Sequence, residues 1–100
     1  MARPVRLDDA EVAAALAGPD APAWELVDGM LVKVVTCPSF AAALDFVVAV
    51  GRLAEAADHH PDIDIRWRTV RLAVVTHDVG GLSELDLALA RSVDALPVGG

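Results

Sequence analysis

Tyrosine is absent from this chain, and its aromatic content is two tryptophans and two phenylalanines. A core in 100 residues must then rest on Leu, Val and Ile, with alanine making up much of the 55% hydrophobic content. That is enough for one small domain spanning residues 1–100, and its thin stability margin favours self-association. Cysteine is nearly missing too. Cys37 is the only one, which excludes an internal disulfide and suits a reducing cytoplasm. Basic residues are scarce, 8 against 15 acidic ones, and the resulting net charge of -7 argues against nucleic acid as a direct partner. Arg66, Arg68 and Arg71 form a local basic group that can steer an anion but more often marks the solvated face of a strand pair. Long apolar runs are missing as well. The alanine-rich stretch from Val12 to Ala17 is too short to cross a bilayer, and Met1-Ala2-Arg3-Pro4 carries no apolar signal core, so no membrane partner is expected. There is no internal repeat and no low-complexity tail, and the apolar content argues against disorder.

The residues that are present spell out alternating helices and hairpins. Asp8 with Glu11 three positions on is a capping box, and Leu7 with Val12 a hydrophobic staple, so a helix starts there and stops at Gly18-Pro19. Trp24 to Val27 and Met30 to Thr36 are strand-like around Asp28-Gly29, a two-residue turn signal. Ser39 to about Asp58 is a long helix in which Phe40, Ala43, Val47, Val50, Ala54 and Ala57 recur at spacings of three and four, broadened by Leu44, Phe46 and Leu53. So wide an apolar arc points to burial on more than one side, against a sheet and a partner. Pro61 is expected to stop this helix, leaving His59 and His60 at its exit. Ile63, Ile65 and Trp67 alternate with charged residues as a half-buried strand. Val70, Leu72 and Val74 form one face of the next strand, with Arg71, Ala73, Val75 and His77 on the other, joined through a tight hairpin near Arg68-Thr69. Gly80-Gly81 breaks the chain. Ser83 and Asp86 then cap a last helix with a Leu82–Leu87 staple and a stripe of Leu85, Leu89, Val93 and Leu96. Residues 1–6 and 97–100 read as frayed ends. The expected class is α+β, a four-stranded antiparallel sheet with three helices on one face, in the order α-β-β-α-β-β-α.

Three histidines, His59, His60 and His77, carry the most chemical information, because imidazole is the side chain that titrates near neutral pH. Adjacent residues at a helix exit point in different directions, and no Cys-x-x-Cys or His-x-x-x-His spacing occurs, so no metal site is expected. Glu55 stands one helical turn before His59, where it can orient that ring or face solvent. Asp86 is first a capping residue, and any role in a site is additional. Ser83 lacks a nucleophile elbow. Gly80-Gly81 before a helix can bind an anion or simply form a turn.

In order along the chain, Phe40-x-x-Ala43, Ala54-Glu55-x-x-Asp58-His59-His60-Pro61-Asp62, Trp67-x-x-Val70 and Thr76-His77-x-x-Gly80-Gly81-Leu82-Ser83-x-x-Asp86 resemble the pterin-4a-carbinolamine dehydratase family. The resemblance spans about Trp24 to Val93. It implies the α+β fold just derived, a homodimer or homotetramer, and a cytoplasmic hydro-lyase that needs no metal or organic cofactor. The implied reaction is loss of water from 4a-hydroxytetrahydrobiopterin to give quinonoid dihydropterin, in tetrahydrobiopterin recycling. On that comparison His59, His60 and His77 are the active-site histidines, with His59 and His77 as proton donors or acceptors and His60 holding the pterin or shaping the pocket. Glu55 and Asp86 are supporting acids, and Pro61 fixes the turn that presents the histidine pair. Leu85 departs from the family pattern, in which a charged residue is frequent, as does Cys37, where an apolar side chain is expected. Two other readings stand beside this one: a non-enzymatic dimerisation or binding module on the same fold, and a molybdopterin-related accessory protein.

Overall fold

The computed structural model describes residues 3–98, and the outermost expected frayed positions, 1–2 and 99–100, lie outside the described residues. Helix α1 (Asp9–Ala17) leads into strands β1 (Glu25–Val27) and β2 (Met30–Thr36), then helix α2 (Phe40–Ala57), strands β3 (Asp62–Arg66) and β4 (Thr69–Val74), a short 3₁₀ turn (His77–Val79) and helix α3 (Glu84–Asp94). The sheet is antiparallel throughout, in the order β1-β2-β4-β3. Three helices and four antiparallel strands in the order α-β-β-α-β-β-α match the expectation from the sequence.

Both hairpins turn through two residues. Asp28 and Gly29 take φ of 50° and 80° between the paired Val27 and Met30, the left-handed pair that twists with the strands and that glycine tolerates best. In the second hairpin Arg66 pairs with Thr69, so the turn is Trp67-Arg68, one residue earlier than expected. Trp67 is therefore not a half-buried strand residue: it sits at φ 53° with 72% of its surface exposed, and the Arg68 guanidinium lies 4.8 Å from its ring centroid.

Strand alternation builds the core. Leu31 and Val35 of β2 and Val70, Leu72 and Val74 of β4 face the helices and are buried. On α2 the buried residues are Ala43, Phe46, Val50 and Ala54, while Phe40, Leu44 and Ala57 are exposed. The interior of the expected stripe is therefore the inner face, with Val47 and Leu53 also packed against the core, and of the expected residues the two helix ends, Phe40 and Ala57, and the flanking Leu44 fall outside it. On α3 the buried apolar residues are Leu87, Leu89, Ala90 and Val93, and Leu85 is exposed. The Leu85 position needs no core residue, which fits its departure from the family pattern.

Helix ends and caps fix where the chain runs next. α1 carries the expected capping box, with mutual Asp8–Glu11 bonds of 2.8 and 3.0 Å. The chain before it is anchored, because Leu7 N–H donates to the Leu82 carbonyl at 2.8 Å. α2 ends on Asp58, three residues before Pro61: Asp58 takes the left-handed conformation and its N–H closes on the Ala54 and Glu55 carbonyls. Lys33, at an inward register position opposite Leu72, finds a counter-charge in Asp94 at 2.8 Å. The same carboxylate accepts the Trp24 indole N–H at 2.8 Å and the Ala23 N–H at 2.7 Å, tying the start of β1 and the middle of β2 to the end of α3.

Candidate active site

The left-handed turn at Asp58 separates the two adjacent histidines. His59 N–H still bonds back to the Ala54 carbonyl at 3.1 Å, and from there the two side chains diverge. His59 reaches α3, with Nε2 at 2.6 Å from Asp86 Oδ1. His60 turns back to its own helix, with Nε2 at 2.6 Å from Glu55 Oε1. Glu55 therefore orients His60 rather than His59. The environments differ as well: the His59 side chain is 11% exposed and Asp86 0%, whereas the His60 and Glu55 side chains are 55% and 79% exposed.

Asp86 serves two purposes. At the third position of α3 its Oδ2 accepts the Ser83 N–H at 2.8 Å, completing a capping box. The same oxygen accepts the Thr76 hydroxyl at 2.7 Å, and Thr76 also meets Ser83 Oγ at 2.7 Å. Thr76 and Ser83 are buried, and among the described residues no buried side-chain polar atom lacks a partner. Buried polar groups are stable only when satisfied in this way.

Thr76 also explains where His77 goes. β4 stops at Val74, where pairing with β2 and β3 runs out, so His77 is not on the strand as the alternation suggested. Thr76 instead bridges to Gly81 and closes a small loop. His77 opens the 3₁₀ turn within it, which ends on Gly80 at φ 66°. His77 is exposed and stands next in the chain to a residue whose hydroxyl touches the Asp86 carboxylate.

Of the predicted residues, Glu55, His60 and Pro61 share one cleft of about 460 Å³, with Val48, Gly51, Arg52, Ala54 and Ile63. His59, Asp86 and His77 do not line it: part-buried His59 pairs with the buried Asp86 of α3, and His77 belongs to the loop before that helix. A more enclosed apolar cavity of about 300 Å³ lies elsewhere, between α1 and the β1–β2 hairpin, and includes none of the predicted residues. Among the described residues no three His, Cys, Asp or Glu side chains gather as a metal cage. Thr76 and Ser83 join this network without having been predicted as site residues; a hydroxyl on each side of a glycine loop, one of them an N-cap, was the available signal.

The chain is thus a small α+β domain of three helices and a four-stranded antiparallel sheet, in which His59 and His60 are each held by a carboxylate. A family model described as pterin 4 alpha carbinolamine dehydratase matches residues 5–96. The chain belongs to that family. A Chloroflexus aurantiacus relative carrying the provisional name pterin-4-alpha-carbinolamine dehydratase is 50% identical over 91% of this chain and 96% of its own length. A Mycobacterium sp. (strain JLS) relative with the same provisional name is 49% identical over 90% of this chain and 94% of its own. Among solved structures, a Brucella melitensis protein described as a transcriptional coactivator/pterin dehydratase has a TM-score of 0.84 and 29% identity over 96% of this chain and all of its own. A pterin dehydratase-like protein described as a RuBisCO assembly factor in the alpha-carboxysome has a TM-score of 0.62 and 26% identity over 76% of this chain and 90% of its own.

Proposed function

We propose that this chain dehydrates 4a-hydroxytetrahydrobiopterin to quinonoid dihydropterin and water, a cytoplasmic hydro-lyase step in tetrahydrobiopterin recycling. The reaction protonates the departing 4a hydroxyl and removes a ring N–H proton, which calls for an acid and a base working near neutral pH. The observation that carries the reading is the Asp86 carboxylate, which receives His59 on one oxygen and Thr76, the neighbour of His77, on the other. A shared site for His59 and His77 is supported by this carboxylate, which contacts the His59 ring and the hydroxyl of the residue before His77. His59 and His77 exchange protons with the substrate. His60, held by Glu55 in the Pro61 cleft, contacts the pterin. No metal or organic cofactor takes part.

The protein works as a homodimer or homotetramer, supported by Phe40, Leu44 and Val48, which stand four residues apart on α2 and are 49%, 44% and 53% exposed. Following synthetic carbinolamine by ultraviolet absorbance tests the reading: accelerated dehydration is expected, and folded protein without acceleration refutes it. A second reading, a non-enzymatic binding module, is favoured by the assembly factor that shares this fold. It predicts no turnover, and His59→Ala lowering only stability or association.

A further inference from the structure

Hydrogen-bond directions around Asp86 can be deduced one donor at a time. Leu85 N–H donates to Ser83 Oγ at 3.2 Å. Thr76 Oγ1 lies 2.7 Å from Asp86 Oδ2, and an ionised carboxylate only accepts, so Thr76 has committed its single hydroxyl proton there. The 2.7 Å contact between Thr76 and Ser83 must then be a donation from Ser83 to Thr76. Oδ2 also takes the Ser83 N–H, and Oδ1 faces His59 Nε2 at 2.6 Å. The ionised carboxylate is the form that uses all three donors, and with Asp86 0% exposed no water competes for them.

We infer that this one-way relay, Leu85 N–H to Ser83 to Thr76 to Asp86, locks His59 in the tautomer protonated at Nε2 and makes Nδ1 the atom that exchanges protons with a ligand. Among the described residues no hydrogen bond reaches Nδ1. Neutral His59 takes a proton on Nδ1 and the cation returns it from Nδ1, while Nε2 keeps its own proton throughout. Thr76 and Ser83 are positioning residues: they touch no reacting atom and act through Asp86. His60 provides an internal contrast, because the Glu55 carboxylate that holds it is exposed and its oxygens take no further hydrogen bond among the described residues, so the His60 ring is not locked. The catalytic meaning of Nδ1 rests on the dehydratase reading; the tautomer does not.

Long-range proton–nitrogen correlation spectra of ¹⁵N-labelled protein, taken where imidazoles are neutral, test the relay directly. His59 is expected as a single Nε2–H tautomer while His60 averages between two. An Nδ1–H or averaging His59 overturns the inference. Thr76→Val should let His59 average and lower kcat about 10-fold or more with little change in KM. Thr76→Ser should restore both. A fall in kcat with the His59 spectrum unchanged would make Thr76 merely structural and overturn the relay. Wild-type protein with His59 locked but no turnover would sink the dehydratase reading and still support the relay.

Discussion

At the residue scale the three histidines divide by what they hold. His77 is exposed and has no side-chain hydrogen bond to the rest of the described chain, so its removal should cost little stability. His77→Ala is expected to lower kcat about 100-fold or more, the worth of a positioned acid or base. Its melting temperature should stay near wild type, as for exposed substitutions generally, and steady-state kinetics with calorimetry check both. His59→Ala should differ, because it strips a partner from a fully buried carboxylate and is expected to cost about 1–3 kcal/mol in denaturant unfolding. Asp94 answers to another balance. Burial alone pushes its carboxyl up, but hydrogen bonds from Lys33, Ala23 and Trp24 and the Lys33 charge outweigh this and hold it below the ordinary range. Its stabilising effect is thus complete above the unfolded carboxyl value of about 4 and is lost as pH falls through the lower folded value. Asp94→Asn should lower stability at pH 7 by about 2 kcal/mol, with the gap to wild type closing below about pH 4. A gap that persisted in acid would assign the knot to packing rather than charge.

Elements are set by their ends as much as by their stripes. Pro61 is the expected stop for helix α2, yet the chain leaves the helix at Asp58 through a left-handed cap, and that earlier exit is what divides His59 from His60. A non-glycine residue in this conformation carries local strain. Asp58→Gly should relieve it and raise unfolding free energy by about 0.5–1 kcal/mol, seen as a higher urea midpoint at unchanged slope. Capping boxes and the Asp28-Gly29 turn were legible because they depend on residues three or fewer apart, whose geometry the backbone itself enforces. How far the α2 arc is covered was not, since Phe40, Leu44, Phe46 and Leu53 widen the face of Ala43, Val47, Val50 and Ala54 and offer several faces of similar hydrophobicity. Packing against α3 and β4 chose the one centred on Phe46 and Val50.

For the whole molecule, that choice leaves Phe40, Leu44 and Val48 outside, a stripe one monomer does not cover. Leu44→Glu with Val48→Glu is expected to convert an assembly into monomers in sedimentation experiments while leaving the circular dichroism of the fold intact; an unchanged sedimentation coefficient would place association elsewhere. The sequence alone determined the α-β-β-α-β-β-α order, the existence of both hairpins, the helix N-caps and the histidines and acids that form the candidate set, because each is written in local spacing or in an ordered motif. Only the tertiary structure decided that Glu55 serves His60, that Asp86 joins His59 to Thr76, and that Asp94 gathers Trp24, Ala23 and Lys33. Those pairings link residues 5 to 71 positions apart. They depend on where a helix is rotated and where a strand stops, quantities settled by the competition of whole faces for one core and not by any short run of letters.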